Sequence, residues 1–90
     1  MDEVRAGVDR LDEEIVRLLG LRFRFMEAAA RIKPQREAVR DEGRKAQVLA
    51  NVARLAREHE VPQDAAAELY ERLVEASIAY ELGRFDATRR

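Results

Sequence analysis

The chain has no cysteine and a single histidine, His59. Without thiols it has neither a disulfide framework nor a thiolate zinc site, and one imidazole does not make a histidine metal cluster. Proline is nearly absent, with Pro34 and Pro62 the only two, and glycine occurs four times. No apolar run approaches the roughly 18 residues of a membrane span. An excess of one charge is missing too, since 17 basic residues stand against 18 acidic ones. A general nucleic-acid or membrane-surface binder carries a basic excess, so both classes are set aside. The opening Met1-Asp2-Glu3 is acidic and lacks the basic-then-apolar start of a signal peptide. The expectation is a soluble cytoplasmic protein that uses no metal and no cofactor.

What is present is helix-forming. Apolar residues make up 47% and charged residues 39%, dominated by Ala, Leu, Glu and Arg, the composition of long helices. Ninety residues suit one domain, here residues 1–90, with a modest core. The two prolines divide the chain into three segments of helical periodicity. The first runs from about Glu3 to Lys33, with the stripe Val4, Val8, Leu11, Ile15, Leu18, Arg22, Phe25, Ala29, Ile32. Its steps alternate four and three, as in a coiled coil. Pro34 disfavours helical geometry at Lys33 and should end that helix. The second spans about Val39 to Glu60, with Val48, Val52, Leu55 and Ala56 on one face. The third starts at Pro62, a good first-turn residue, and passes Ala66, Leu69, Leu73, Ser77 and Tyr80 to about Arg84. The fold class is therefore all-α, three helices per chain.

The first helix is too long for a chain of this size. Thirty residues span roughly 45 Å, whereas a compact chain of this length has a radius of gyration near 12 Å. The apolar stripe continues to both ends, so the projecting part needs cover. A second copy packed along the same helix supplies it, which predicts an intertwined homodimer. The competing arrangement is a three-helix monomer with a broken first helix.

Polar residues interrupt these apolar faces. Arg22 occupies a core position of the first stripe, and a buried guanidinium needs an anionic partner. That partner is either a glutamate of another helix or a ligand. Lys33 follows eleven residues later, about three turns on, and shares the face of Arg22 at roughly 16 Å along the axis. Two long cationic side chains so placed bracket a small dianion. Taken singly, Lys33 also fits a snorkelling surface lysine. Asp41 and Arg44 open the second helix three apart and share a face that continues into Val48 and Val52. They therefore point inward, unless Asp41 merely caps the helix. Ser77 and Glu81 stand four apart on the inward stripe of the third helix and need polar partners. Arg5 lies roughly 25 Å before Arg22 along the same helix. It reaches the same small ligand only from the partner chain of an antiparallel dimer. The set of Arg22, Lys33, Arg44 and a partner's Arg5, with Asp41, Ser77 and Glu81, suits a compact dicarboxylate bearing a hydroxyl or ether oxygen. It contains no nucleophile–base pair and no phosphate-cradling glycine loop. Chemistry there rests on restraint and electrostatics.

The ordered series Val4-Arg5, Leu11-Asp12-Glu13-Glu14-Ile15-Val16-Arg17-Leu18-Leu19, Arg22, Ala30-Arg31-Ile32-Lys33, Val39-Arg40-Asp41-Glu42-Gly43-Arg44 and Leu73-Val74-Glu75-Ala76-Ser77-Ile78 resembles the all-helical chorismate mutases. It is also similar to their relatives, the isochorismate pyruvate-lyases. The likeness runs over nearly the whole chain. It implies an entwined dimer with two sites, each placing Arg22, Lys33, Arg44 and the partner's Arg5 around two substrate carboxylates. It implies Lys33 and position 81 at the ether oxygen, Asp41 at the ring hydroxyl and Ser77 assisting a carboxylate. The reaction implied is the cofactor-free Claisen rearrangement of chorismate to prephenate, toward phenylalanine and tyrosine. Three departures stand out. Glu81 replaces the glutamine of typical bacterial mutases, so it is expected to be protonated and to donate a hydrogen bond, with activity falling as pH rises. Lys45 replaces a glutamate that helps hold the ring hydroxyl. The connection from Lys33 to Arg44 is one residue shorter and resembles the lyase spacing. Isochorismate pyruvate-lyase and aminodeoxychorismate mutase are the nearest alternatives, and a non-catalytic helical dimerisation or regulatory module is the alternative of another kind.

Overall fold

The computed structural model describes residues 1–89. Three helices follow one another, α1 (Asp2–Ile32), α2 (Glu42–Glu58) and α3 (Gln63–Thr88), with a 3-10 turn at Arg36–Ala38 between the first two. No strand occurs among the described residues, and no helix there is long and apolar enough to cross a membrane. The architecture is all-α, as the periodicity requires.

Helix α1 has 31 residues, or about 46 Å of axis, and sets the long dimension of a molecule measuring 51 × 25 × 15 Å. It stops where Pro34 dictates. Lys33 takes an extended conformation with ψ 131 while its N–H still reaches the Ala29 carbonyl. Helix α2 starts at Glu42 rather than Val39, because Asp41 is its N-cap and accepts the Arg44 N–H at 3.0 Å. Val39 is instead a core residue, buried with Ala30 and Phe85. Helix α2 also ends earlier than Glu60. Glu60 lies in the left-handed region at φ 57, and the Val61 N–H returns to the Ala56 carbonyl at 2.8 Å, a Schellman-type closure. Helix α3 continues past Arg84 to Thr88, since Phe85 is buried and anchors the extra turn.

Helix α3 is the centre of the fold. Helices α1 and α2 each pack on it and not on each other. Its buried residues are Ala66, Val74, Ser77, Glu81 and Phe85, so an apolar strip carries two polar interruptions. Helix α1 turns Phe23 onto α3, where it meets the edge of Tyr80 with ring centroids 5.1 Å apart. Ala30 is fully enclosed about two turns later. Most of the continuous stripe read from the sequence is not used for this contact. Val4, Leu11, Ile15, Leu18 and Phe25 keep half or more of their surface exposed, and Ile32 keeps 80%. The radius of gyration is 15.7 Å, against about 12 Å for a compact chain.

Candidate active site

Because α1 and α2 stand apart on α3, a cleft remains between them with α3 as its floor. It encloses about 340 Å³, a size suited to a small ligand. Met26, Ala29, Val39, Val48, Val74 and Ile78 make the apolar walls. Into it project Arg22 and Lys33 from α1, Asp41, Arg44 and Lys45 from the start of α2, and Ser77 and Glu81 from α3. Six of the seven candidates from the sequence thus share one cavity.

Arg22 is half-buried and donates to the Ser77 hydroxyl at 2.6 Å. That hydroxyl in turn donates to the Leu73 carbonyl at 2.7 Å. Ser77 spends its single proton on its own helix, so a lone pair faces the guanidinium. The face of Tyr70 lies 5.9 Å from the Arg22 guanidinium carbon, a weak cation–π contact. The sequence called for an anionic partner at Arg22. No carboxylate among the described residues forms an ion pair with it, and Ser77 takes that place. A guanidinium has five N–H donors, so donors remain for an anion in the cleft.

Lys33 leads into the cavity from the end of α1, and its ammonium meets the Glu81 carboxylate at 2.6 Å. Glu81 is only 4% exposed, as its place on the inward stripe of the third helix predicts. Burial of a carboxylate is tolerable where a cation answers it. Here Glu81 accepts from Lys33, whereas the expectation from the sequence has it donate.

Asp41 and Arg44 reach the cavity from its rim and are solvent-exposed in the single chain. The Asp41 side chain is occupied as a helix cap, and the Arg44 guanidinium donates to Gln47 at 3.3 Å. Lys45, read from the sequence only as a departure, is part of the wall. It lies four residues beyond Asp41, hence on the same helix face, and that spacing was the available signal. Its ammonium bridges Glu71 at 2.7 Å and Glu75 at 3.0 Å. The hydrogen bonds it donates to Glu71 first and Glu75 second raise its pKa. Arg40 joins the cluster by pairing with Glu75 at 2.6 Å. Hydrogen bonds from Arg40 first and Lys45 second hold the Glu75 carboxyl at about 2. This network ties the start of α2 to α3 and so fixes one wall of the cleft.

Arg5 is exposed and lies outside the cavity, roughly 25 Å along α1 from Arg22. Nothing in its own chain brings it nearer. Comparison with curated proteins finds no match. A family model of chorismate mutase type II, in contrast, matches residues 4–82, a span that holds Arg5 and every cavity residue named above. With its three helices and this match over most of its length, the chain belongs to the chorismate mutase type II family.

Proposed function

We propose that the protein is a cofactor-free chorismate mutase, rearranging chorismate to prephenate for phenylalanine and tyrosine synthesis in the cytoplasm. Residues 1–90 act as one helical domain, paired in an entwined homodimer. The observation that carries this reading is the convergence of Arg22, Lys33 and Arg44 with Ser77 and Glu81 on one small cleft. Arg5 of the partner subunit completes it. Arg22, Lys33 and Glu81 are the catalytic set, and Arg5, Asp41, Arg44 and Ser77 bind substrate.

The rearrangement is unimolecular. The ether C–O bond breaks as a C–C bond forms, and no proton or electron enters from outside. A protein accelerates it by holding the reactive diaxial shape and by stabilising charge that grows on the ether oxygen. Arg22, steadied by Ser77, grips one carboxylate, with Arg44 and the partner's Arg5 closing on the pair. The ammonium of Lys33 turns from Glu81 toward the ether oxygen, where its charge counts most in the transition state. Asp41 receives the ring hydroxyl. Glu81 stands with Lys33 at the ether oxygen.

The test is purified protein with chorismate and, in parallel, isochorismate, with products separated by chromatography. Prephenate formed far above background, and abolished by Arg22→Ala in a folded variant, supports the mutase. The short connection from Lys33 to Arg44, which resembles the lyase spacing, favours a second reading, isochorismate pyruvate-lyase. Salicylate and pyruvate from isochorismate with only slow prephenate would establish it. Turnover of neither would leave aminodeoxychorismate as the remaining substrate or a helical dimerisation module without catalysis.

A further inference from the structure

The cavity lysine is gripped from two sides by α3, and only one grip touches its charge. Lys33 is the C-cap of α1, and Pro34 after it has no N–H to continue the helix. Helix ends leave carbonyls without intrahelical donors. The Lys33 carbonyl is such a group, and it accepts from the Arg89 guanidinium at 2.7 Å. Arg89 is itself held in place. Its guanidinium carbon lies 4.1 Å from the centre of the Phe85 ring, and it donates to the Thr88 hydroxyl at 2.9 Å. Phe85 in turn is buried with Ala30 and Val39, the residues that flank the connection from α1 to α2.

A second contact fixes the same connection. Asp86 lies three residues before Arg89 and shares its helix face. Its carboxylate accepts a forked pair from Arg36, at 2.9 and 3.3 Å. Arg36 opens the 3-10 turn that returns the chain to Val39. The last turn of α3 therefore holds both the start and the middle of the 33–39 segment. These residues follow position 82, where the family match ends, so the match does not assign them a role.

From this geometry we propose that Arg89, supported by Asp86, is a positioning residue that fixes the backbone of Lys33 and thereby aims its ammonium in the cleft. The need for it follows from the reading of the site, on which this proposal rests. When a ligand draws the Lys33 ammonium from Glu81, the 2.6 Å ion pair no longer locates the side chain. The carbonyl grip persists, because it is made roughly 12 Å farther along α3, eight residues on. A misplacement of about 1 Å costs up to 10²-fold in rate, so a loose anchor at the helix end is felt at the reacting atoms.

The experiment compares full-length wild type with Arg89→Ala, Arg89→Lys and Asp86→Asn. Arg89→Ala should lower kcat on chorismate about tenfold, with KM changed less than twofold, and Arg89→Lys should restore much of it. In a Lys33→Ala background the same change should cost nothing further, as coupled sites require. A loss of equal size in that background overturns the proposal, since a merely structural role would produce it. Hydrogen exchange without substrate separates this from the assignment of the reaction. The Ala38 and Val39 amides, bonded to Gln35 and Arg36 at 3.1 Å, should exchange faster in Arg89→Ala and Asp86→Asn, with amides of α2 unchanged. Unaltered exchange overturns the clasp whatever the enzyme turns over. Faster exchange in a protein inert toward chorismate keeps the clasp as an anchor of Lys33 and removes only the named reaction.

Discussion

Replacing Ile15 by lysine should take the proposed dimer apart and abolish the proposed mutase activity. Ile15 sits mid-stripe on α1, 52% exposed between Leu11 and Leu18, which are 64% and 50% exposed. The single chain presents 6975 Å² of surface. A compact protein of this mass would present about 5,400 Å². The surplus of roughly 1,600 Å² per chain, doubled, falls in the range of obligate dimers. Burying one isoleucine is worth about 1.5–3 kcal/mol, and a twofold axis presents each residue twice. The loss is thus about 3–6 kcal/mol per dimer before the lysines are desolvated, or roughly 10²–10⁴ in Kd. Sedimentation equilibrium across the micromolar range reads this directly, with circular dichroism to confirm helix. Activity should fall with the dimer fraction, because each site of the proposed dimer takes Arg5 from the partner subunit. A mixing assay isolates that dependence. Arg5→Ala and Arg22→Ala chains, each inactive alone, should recover about a quarter of wild-type activity when mixed and refolded, since half the dimers carry one intact site. A fully active wild-type monomer, or no recovery on mixing, would refute the reasoning.

Three further outcomes follow from the contacts in the cleft. Ser77→Ala should raise KM more than it lowers kcat, since Arg22 loses its anchor, and should cost about 1 kcal/mol of stability. Steady-state kinetics with urea unfolding checks both. Glu81→Gln puts a hydrogen-bond donor at the ether oxygen in place of the buried carboxylate that pairs with Lys33, so kcat should rise. A fall in kcat would assign Glu81 to orienting Lys33. Glu75 has a folded value of about 2 against an ordinary 4.5, so its stabilisation is present above the ordinary value and is lost as pH falls from there toward 2. Thermal melts over that window should show the loss in wild type and less of it in Glu75→Gln, a modest effect because the pair is partly exposed.

Much of this was legible from local pattern. Pro34 and Pro62 marked the breaks because a missing N–H and a fixed φ act within one or two residues. The all-α class and the excessive length of α1 followed from periodicity and rise per residue, which need no knowledge of partners. Arg22, Lys33, Ser77 and Glu81 stood out because a polar residue on an apolar strip conflicts with its surroundings wherever the strip is packed. The exact start of α2 was less legible, since Val39 suits either a helix or a core contact. The Asp41 cap that chose between them is a matter of backbone geometry.

Tertiary structure alone decided which groups meet. Ser77 rather than a glutamate answers Arg22, and Glu81 answers Lys33, across 55 and 48 positions of sequence. Such pairings depend on how α1 lies on α3, and periodicity does not encode that. It also decided that α1 and α2 stay apart, which opens the cleft and brings Lys45 into its wall. The grip of Arg89 on the Lys33 carbonyl was invisible for the same reason. A helix determines the direction of its own side chains, but a backbone acceptor 56 residues away becomes its partner only when the whole chain has folded.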